Sequence, residues 1–183
     1  ENLNQIYDDI KSTNYDIIKI ACMANSLKDN LIILDLIKKA KEEEIDIIAI
    51  CMGEKGEISR ILNLAYGSFL TFGFLDKSKE SAPGQVSCEH LRYVYRADKL
   101  DANTRIYGLI GNPVSKSKGF IVHNLSFKEQ DINSVYINFL VDNLTKFIDS
   151  FKPLLSGMSI TMPFKQEIIK YLDRIDPIAK KIG

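Results

Sequence analysis

The chain has no excess charge of either sign: 24 Lys and Arg stand against 24 Asp and Glu in 183 residues. A balanced composition gives no electrostatic footprint for nucleic acid. No apolar run approaches the roughly 18 residues that a membrane-spanning helix needs, so no membrane association is expected. Cysteine is sparse, and Cys22, Cys51 and Cys88 have neither metal-ligand nor redox spacing. That pattern points to reduced thiols in a cytosol-like compartment, with no metal site. Histidine is sparser still, limited to His90 and His123. No Gly-x-Gly-x-x-Gly fingerprint occurs, so no dinucleotide site is expected within the chain. Internal repeats and low-complexity tracts are also lacking. The first residue is Glu1, not Met, and no signal or transit segment precedes the first periodic segment. The expectation is a piece of a longer protein.

What is plentiful is apolar residue, 45% of the chain, enough for a core in one or two small domains. Leu3, Ile6 and Ile10 fall on one face of a helix over 1–12. A strand is expected at 16–22. Ser26-Leu27-Lys28-Asp29 reads as a helix start with a capping-box-like acid. Leu31, Leu34 and Ile37 carry that helix toward Glu42-Glu43-Glu44. A second apolar strand at 45–51, a helix at 58–65, a third strand at 68–72 and a closing helix at 86–97 complete the first half. Nearly continuous apolar strands alternating with helices mark a parallel sheet covered on both sides. Three such units cannot close an eight-stranded barrel.

The segment 98–104, Asp-Lys-Leu-Asp-Ala-Asn-Thr, is polar and aperiodic and makes the best domain boundary. A second α/β unit follows. It has strands near 106–110, 134–140 and 157–161, helices near 118–130 and 143–153, and a helix starting at Pro163.

Three features of the first half carry chemistry. Lys19 interrupts the apolar run Asp16-Ile17-Ile18-Lys19-Ile20-Ala21. A lysine there is costly unless neutral or paired. A desolvated lysine with a lowered pKa suits imine formation on a carbonyl substrate. Ile17, Lys19 and Ala21 share one face of the strand. The blander account is a lysine snorkelling from a strand end. Arg60, after Ile58-Ser59, reads on its own as a solvated helix arginine, the commoner case for any single Arg. Ser81-Ala82-Pro83-Gly84-Gln85 is an exposed turn, the usual place for a substrate lid and equally ordinary turn chemistry.

In that order, Lys19, Ile58-Ser59-Arg60 and Ser81–Gln85 resemble type I 3-dehydroquinate dehydratase. The resemblance implies that Lys19 forms an imine with the ketone of 3-dehydroquinate, which acidifies the neighbouring C–H and lets water leave. It implies that Arg60 holds the substrate carboxylate and that Ser81 and Gln85 contact substrate from a mobile lid. Met52 falls at a substrate-contact position, where a core methionine is an equally good account. The family's general acid/base is a histidine upstream of the lysine. His90 and His123 both lie downstream, and neither matches.

The second half opens with Gly108-Leu109-Ile110-Gly111-Asn112-Pro113-Val114, which resembles the substrate-binding domain of shikimate dehydrogenase. That family continues His-Ser-x-Ser-Pro, with two serines on the substrate carboxylate. Here the residues are Lys116-Ser117-Lys118-Gly119-Phe120. Ser117 matches the first serine, Gly119 stands at the second and Phe120 replaces the proline. Losing a hydroxyl that binds a charged oxygen costs roughly 1–3 kcal/mol. Further on, Gly157-Met158-Ser159-Ile160-Thr161-Met162-Pro163-Phe164-Lys165 resembles the second signature. It implies a substrate contact from Thr161 and a catalytic role for Lys165. Thr161 suits a helix N-cap and Pro163 a first turn. A lysine in that turn opposes the helix dipole, which function explains better than solvation does.

The family's catalytic aspartate, substrate-binding asparagine and NADP-binding domain lie downstream of Gly183. NADP is therefore implied for the parent enzyme, with its site outside this chain. Together the halves imply the C-terminal part of a (β/α)8 barrel over 1–97, a linker over 98–104, and an incomplete α/β substrate-binding domain of shikimate dehydrogenase type over 105–183. The order resembles the fused plant-type arrangement, and fungal pentafunctional enzymes share it. The implied substrates are 3-dehydroquinate, 3-dehydroshikimate and shikimate. The implied location is the plastid for a plant protein and the cytoplasm otherwise. Taken alone, the chain is expected to have neither activity. A non-catalytic relative, favoured by Gly119, and quinate rather than shikimate chemistry stay open.

Overall fold

The computed structural model describes residues 2–182. Helix α1, Leu3–Lys11, starts at Asn2, whose side chain accepts from the Asn4 N–H. Its expected inward residues Leu3, Ile6 and Ile10 pack against the core, and Tyr7 joins them fully buried. The Tyr7 hydroxyl donates to Glu43, which also pairs with Lys11 at 2.6 Å. These contacts fix α1 to the end of helix α2, Lys28–Glu42. At the start of α2, Asp29 accepts from the backbone N–H and hydroxyl of Ser26, so the acid reaches back as the sequence pattern requires.

Strands β1, Ile18–Met23, and β2, Ile47–Met52, are parallel, with Lys19 opposite Ile48 and Cys22 opposite Cys51. All three cysteines are free thiols, and the Cys22 and Cys51 sulfurs lie 3.6 Å apart, a closeness that sequence spacing conceals. Helices α2 and α3, Glu57–Tyr66, cover one face of the pair with Ile33, Ile37, Ile61 and Leu62.

The third strand expected at 68–72 does not form. Ser68 Oγ and the Phe69 N–H both bond to the Ile47 carbonyl, while Ser68 and Asn63 side chains occupy the Leu70 carbonyl. Side chains thus satisfy groups that a ladder would use. Only two-residue strands follow, β3 at Gly73–Phe74 pairing in parallel with β4 at Val86–Ser87. The closing helix expected at 86–97 is also replaced. After β4 the chain makes a π-helical turn at His90–Val94, then Arg96 adopts φ 51° and ends it before a 3-10 turn at Ala97–Lys99. A left-handed residue cannot continue a helix.

In the second half, β5 (Arg105–Gly111) lies between β6 (Ser134–Leu140) and β7 (Leu155–Ile160), all parallel. Helices α4, Gly119–Glu129, and α5, Leu144–Phe151, make the crossovers. Asn143 caps α5 through the Lys146 N–H. The helix expected from Pro163 is absent. The Phe164 N–H bonds back to the Thr161 carbonyl, closing a turn with Phe164 buried beneath it. A 3-10 segment at Glu167–Tyr171 and helix α6, Pro177–Ile182, come later.

The polar segment before β5 is well fastened: Asp101 accepts from the side chain of Asn133 and the Asn103 N–H. A continuous cluster of buried apolar side chains runs from Tyr7 to Ile168 through both halves. Lys55 and Asp142 form an ion pair across them.

Candidate functional site

Met52, Ser117, Thr161 and Lys165 lie at or beyond the carboxyl ends of parallel strands, where open α/β sheets place ligands, while Lys19 lies within β1 and Arg60 on α3. In the first half, Met52 ends β2, half-buried, and Gly53 follows at φ 85°. The lid residue Pro83 accepts the Gly53 N–H at 2.9 Å. Gly84, at φ 75°, lies so close that an added Cβ would stand 2.1 Å from the Gly53 carbonyl oxygen. The Ser81–Gln85 loop therefore sits directly on the turn between β2 and α3. Within it the side-chain Oε1 of Gln85 accepts from the Ser81 N–H and hydroxyl.

Arg60 is not the solvated arginine of the blander account. It is 0% exposed, and its Nε, Nη1 and Nη2 have no hydrogen-bond partner among the described residues. Burial pulls its pKa down, while Glu80, Cys51 and Glu57 oppose that shift. An unpaired buried guanidinium is strained electrostatically and is relieved by a planar anion.

Lys19 is exposed, so the expected desolvation is not present. Its face of β1, shared with Ile17 and Ala21, has no covering layer among the described residues. The ammonium instead lies 4.7 Å from the centroid of Phe72. The adjacent Thr71 hydroxyl donates to the Arg60 carbonyl at 2.9 Å. Residues 71–72 thus touch both Lys19 and the backbone of Arg60.

Two polar features of this half escaped the sequence reading. Glu57 is half-buried beside Glu54, and burial with like-charge repulsion pushes its pKa up to about 7. Asn30 and Ser59 are fully buried polar residues. Asn30 could have been found, because it lies on the apolar face set by Leu34 and Ile37.

In the second half, the loops after β5, β6 and β7 meet. The Asn112 N–H donates to the Met162 carbonyl, the Thr161 N–H to Ile110, and the Val141 N–H to Gly111. Thr161 is half-buried, with its methyl over Gly111, where a Cβ would lie 2.2 Å away. Asn138 donates to the Val114 and Ser117 carbonyls and so shapes the loop that carries Ser117. Ser117 Oγ accepts the Gly119 N–H. Lys165 is exposed and has no ion-pair partner among the described residues. With no helix starting at Pro163, the dipole argument for Lys165 lapses.

Phe120, the residue in place of proline, packs across the junction. It stacks on Tyr95 and meets His90 edge-on, each at 5.4 Å between ring centroids. Beside these rings is a cavity of about 230 Å³ lined by Glu57, Gln85, Ser115 and Asn138. His123, exposed, stacks on Tyr136. Among the described residues no cluster of His, Cys, Asp or Glu could hold a metal, and no helix is long and apolar enough to cross a membrane.

The model of type I 3-dehydroquinase matches residues 1–102, and that of the shikimate dehydrogenase substrate binding domain matches 109–183. The chain is similar to the chloroplastic bifunctional 3-dehydroquinate dehydratase/shikimate dehydrogenase of Arabidopsis thaliana, 41% identical over 100% of this chain and 30% of the relative. It is similar to the shikimate biosynthesis protein AroDE of Chlamydia pneumoniae, 31% identical over 98% of this chain and 38% of the relative. Among solved structures, the dehydroquinate dehydratase and shikimate dehydrogenase of S. pombe AroM aligns with a TM-score of 0.43 at 25% identity, covering 100% of this chain and 34% of that one. The chain thus spans little more than a third, at most, of these relatives.

Proposed function

The chain belongs to the type I 3-dehydroquinase family, and on that footing we propose that it is the junction segment of a two-activity enzyme of the shikimate pathway. The first activity dehydrates 3-dehydroquinate; the second reduces 3-dehydroshikimate to shikimate. We place the division at 98–104, with dehydratase residues over 1–97 and dehydrogenase residues over 105–183.

In the dehydratase half, Lys19 attacks the substrate ketone and forms an imine. The imine withdraws electrons from the adjacent carbon, so its proton is lost and the β-hydroxyl leaves as water. Arg60 binds the carboxylate and orients the ring for that step. Ser81 and Gln85 close over the substrate hydroxyls, and Met52 packs beneath. Neither His90 nor His123 is placed as the proton shuttle, which this reading assigns to residues outside the chain.

In the dehydrogenase half, Ser117 and Thr161 bind the substrate, and Lys165 stands by the reacting carbonyl. NADP is the hydride donor of the parent enzyme. The residues present do not fit it: the β5–α4 loop lacks the Gly-rich phosphate turn and opens instead with Asn112-Pro113. Its site therefore lies outside this chain. The small carboxylate substrates are the only partners proposed. Like the Arabidopsis relative, a plant source would place the protein in the plastid, and any other source in the cytoplasm.

The observation that carries this reading is the buried, unpartnered guanidinium of Arg60 next to the lid. In the full-length protein, Arg60→Ala should raise KM for 3-dehydroquinate about 10- to 100-fold, the worth of a charge-assisted hydrogen bond. An unchanged KM would defeat the assignment. Gly119 favours a second reading, a relative that binds a carboxylate without turnover. Absence of turnover by the full-length protein in both assays would select it.

A further inference from the structure

The fully buried pair Asn30 and Ser59 has no part in the reading above. Ser59 Oγ accepts the Cys51 N–H at 2.8 Å and donates to the Gly56 carbonyl at 2.8 Å. One hydroxyl therefore ties the end of β2 to the turn that starts α3. Asn30, on α2, donates to the Lys55 carbonyl at 2.7 Å and the Leu27 carbonyl at 2.9 Å. Its Oδ1 accepts the Ser59 N–H at 3.3 Å. Both side chains are 0% exposed, so these bonds have no competition from water.

The turn they fasten is crowded. A Cβ at Gly56 would stand 2.7 Å from the Cys51 carbonyl carbon. The turn can approach β2 this closely only if the backbone N–H at its base is satisfied, and Ser59 supplies that acceptor. Arg60 is the next residue. Its backbone is held on one side by Ser59 and on the other by Thr71, which donates to its carbonyl. Among the described residues its guanidinium has no hydrogen bond of its own to hold it. The direction of that side chain is therefore set by its backbone and packing.

We infer that Asn30 and Ser59 are positioning residues for Arg60, and through it determine how strongly the dehydratase site selects a carboxylate. This rests on the role proposed for Arg60. A residue that only supported the fold would lower stability and leave that selectivity alone. A positioning residue lowers the selectivity itself, because a misaimed guanidinium still delivers charge but loses paired geometry.

The test uses the full-length protein with 3-dehydroquinate and its carboxamide as competing substrates. kcat/KM is measured for each in wild type, Ser59→Ala, Asn30→Ala, Arg60→Ala and the core control Ile37→Val. Wild type should prefer the acid on the order of 100-fold, and Ser59→Ala and Asn30→Ala on the order of tenfold, mostly through KM for the acid. Ile37→Val should keep the wild-type ratio. Should Ser59→Ala not fold, Ser59→Cys, similar in size with a weak acceptor, takes its place. A wild-type ratio in both Ser59 and Asn30 variants, with the ratio collapsed in Arg60→Ala, would overturn this inference and leave the role of Arg60 standing. A wild-type ratio in Arg60→Ala would remove both.

Discussion

The ring of Phe120 lies against that of Tyr95 with planes 15° apart and centroids 5.4 Å apart. One of the positions that depart from the shikimate dehydrogenase pattern is thus among those that fasten the second half to the first. Tyr95 is buried at 3% exposure and belongs to the segment just before the polar boundary. A proline at 120 could not make this contact.

Phe120→Ala and Tyr95→Ala should be coupled. A double-mutant cycle by urea denaturation should show roughly 0.5–1.5 kcal/mol of interaction, the usual worth of an aromatic pair beyond its buried area. Strict additivity would show that the stack does not join the halves energetically.

Glu57 should make stability fall with rising pH. Its pKa is raised from an ordinary 4.5 to about 7, so the folded state holds a proton that the unfolded state has released between those values. The stabilisation is complete below about pH 4.5 and is lost as pH rises through 7. Glu57→Gln should remove that pH-dependent loss, which over about 2.5 pKa units at 1.36 kcal/mol each amounts to about 3 kcal/mol. Urea midpoints for both proteins from pH 5 to 8 measure it. Parallel curves would rule out Glu57 as the source.

Gly119→Ser should strengthen carboxylate binding in the second half. An added Cβ would meet Ser117 Oγ at 3.5 Å and His123 at 4.0 Å, ordinary contacts, so a serine fits. KM for shikimate in the full-length protein should fall about tenfold, the value of one restored charge-assisted bond. Ser117→Ala should raise it. No fall in Gly119→Ser would mean that the loop already satisfies the carboxylate.

Borohydride reduction of the full-length protein with 3-dehydroquinate should attach ligand mass to the peptide bearing Lys19. Mass on a different lysine would end the imine assignment for Lys19.

Much of this was legible in sequence because it is periodic. Strands β1 and β2, helices α1 to α5 and the parallel second sheet follow from apolar spacing. The failures share a cause. At 68–72 the strand-like composition was overruled by Ser68 and Asn63, whose side chains take the carbonyls a ladder would need. At 163–166 a proline and a capping threonine signalled a helix, but the chain closes a tight turn instead. The pairing of Asn30 with Ser59 depends on partners 25 to 29 residues apart, as the Lys55 and Ser59 contacts of Asn30 show. No local window contains them. Lys19 shares the exposed face of β1 with Ile17 and Ala21, and the desolvation expected from its apolar neighbours in sequence is not present there.

The contact between Gly53 and Gly84 has a consequence for motion. Two glycines meet backbone to backbone, and the Gly53 N–H to Pro83 bond is the single main-chain bond, among the described residues, that ties Ser81–Gln85 to the turn below. No side chains interdigitate at that contact. Parting the loop from the turn at this point therefore breaks one main-chain hydrogen bond and no interdigitated side chains, so the Ser81–Gln85 tip belongs to the parts of the fold that open at the least cost.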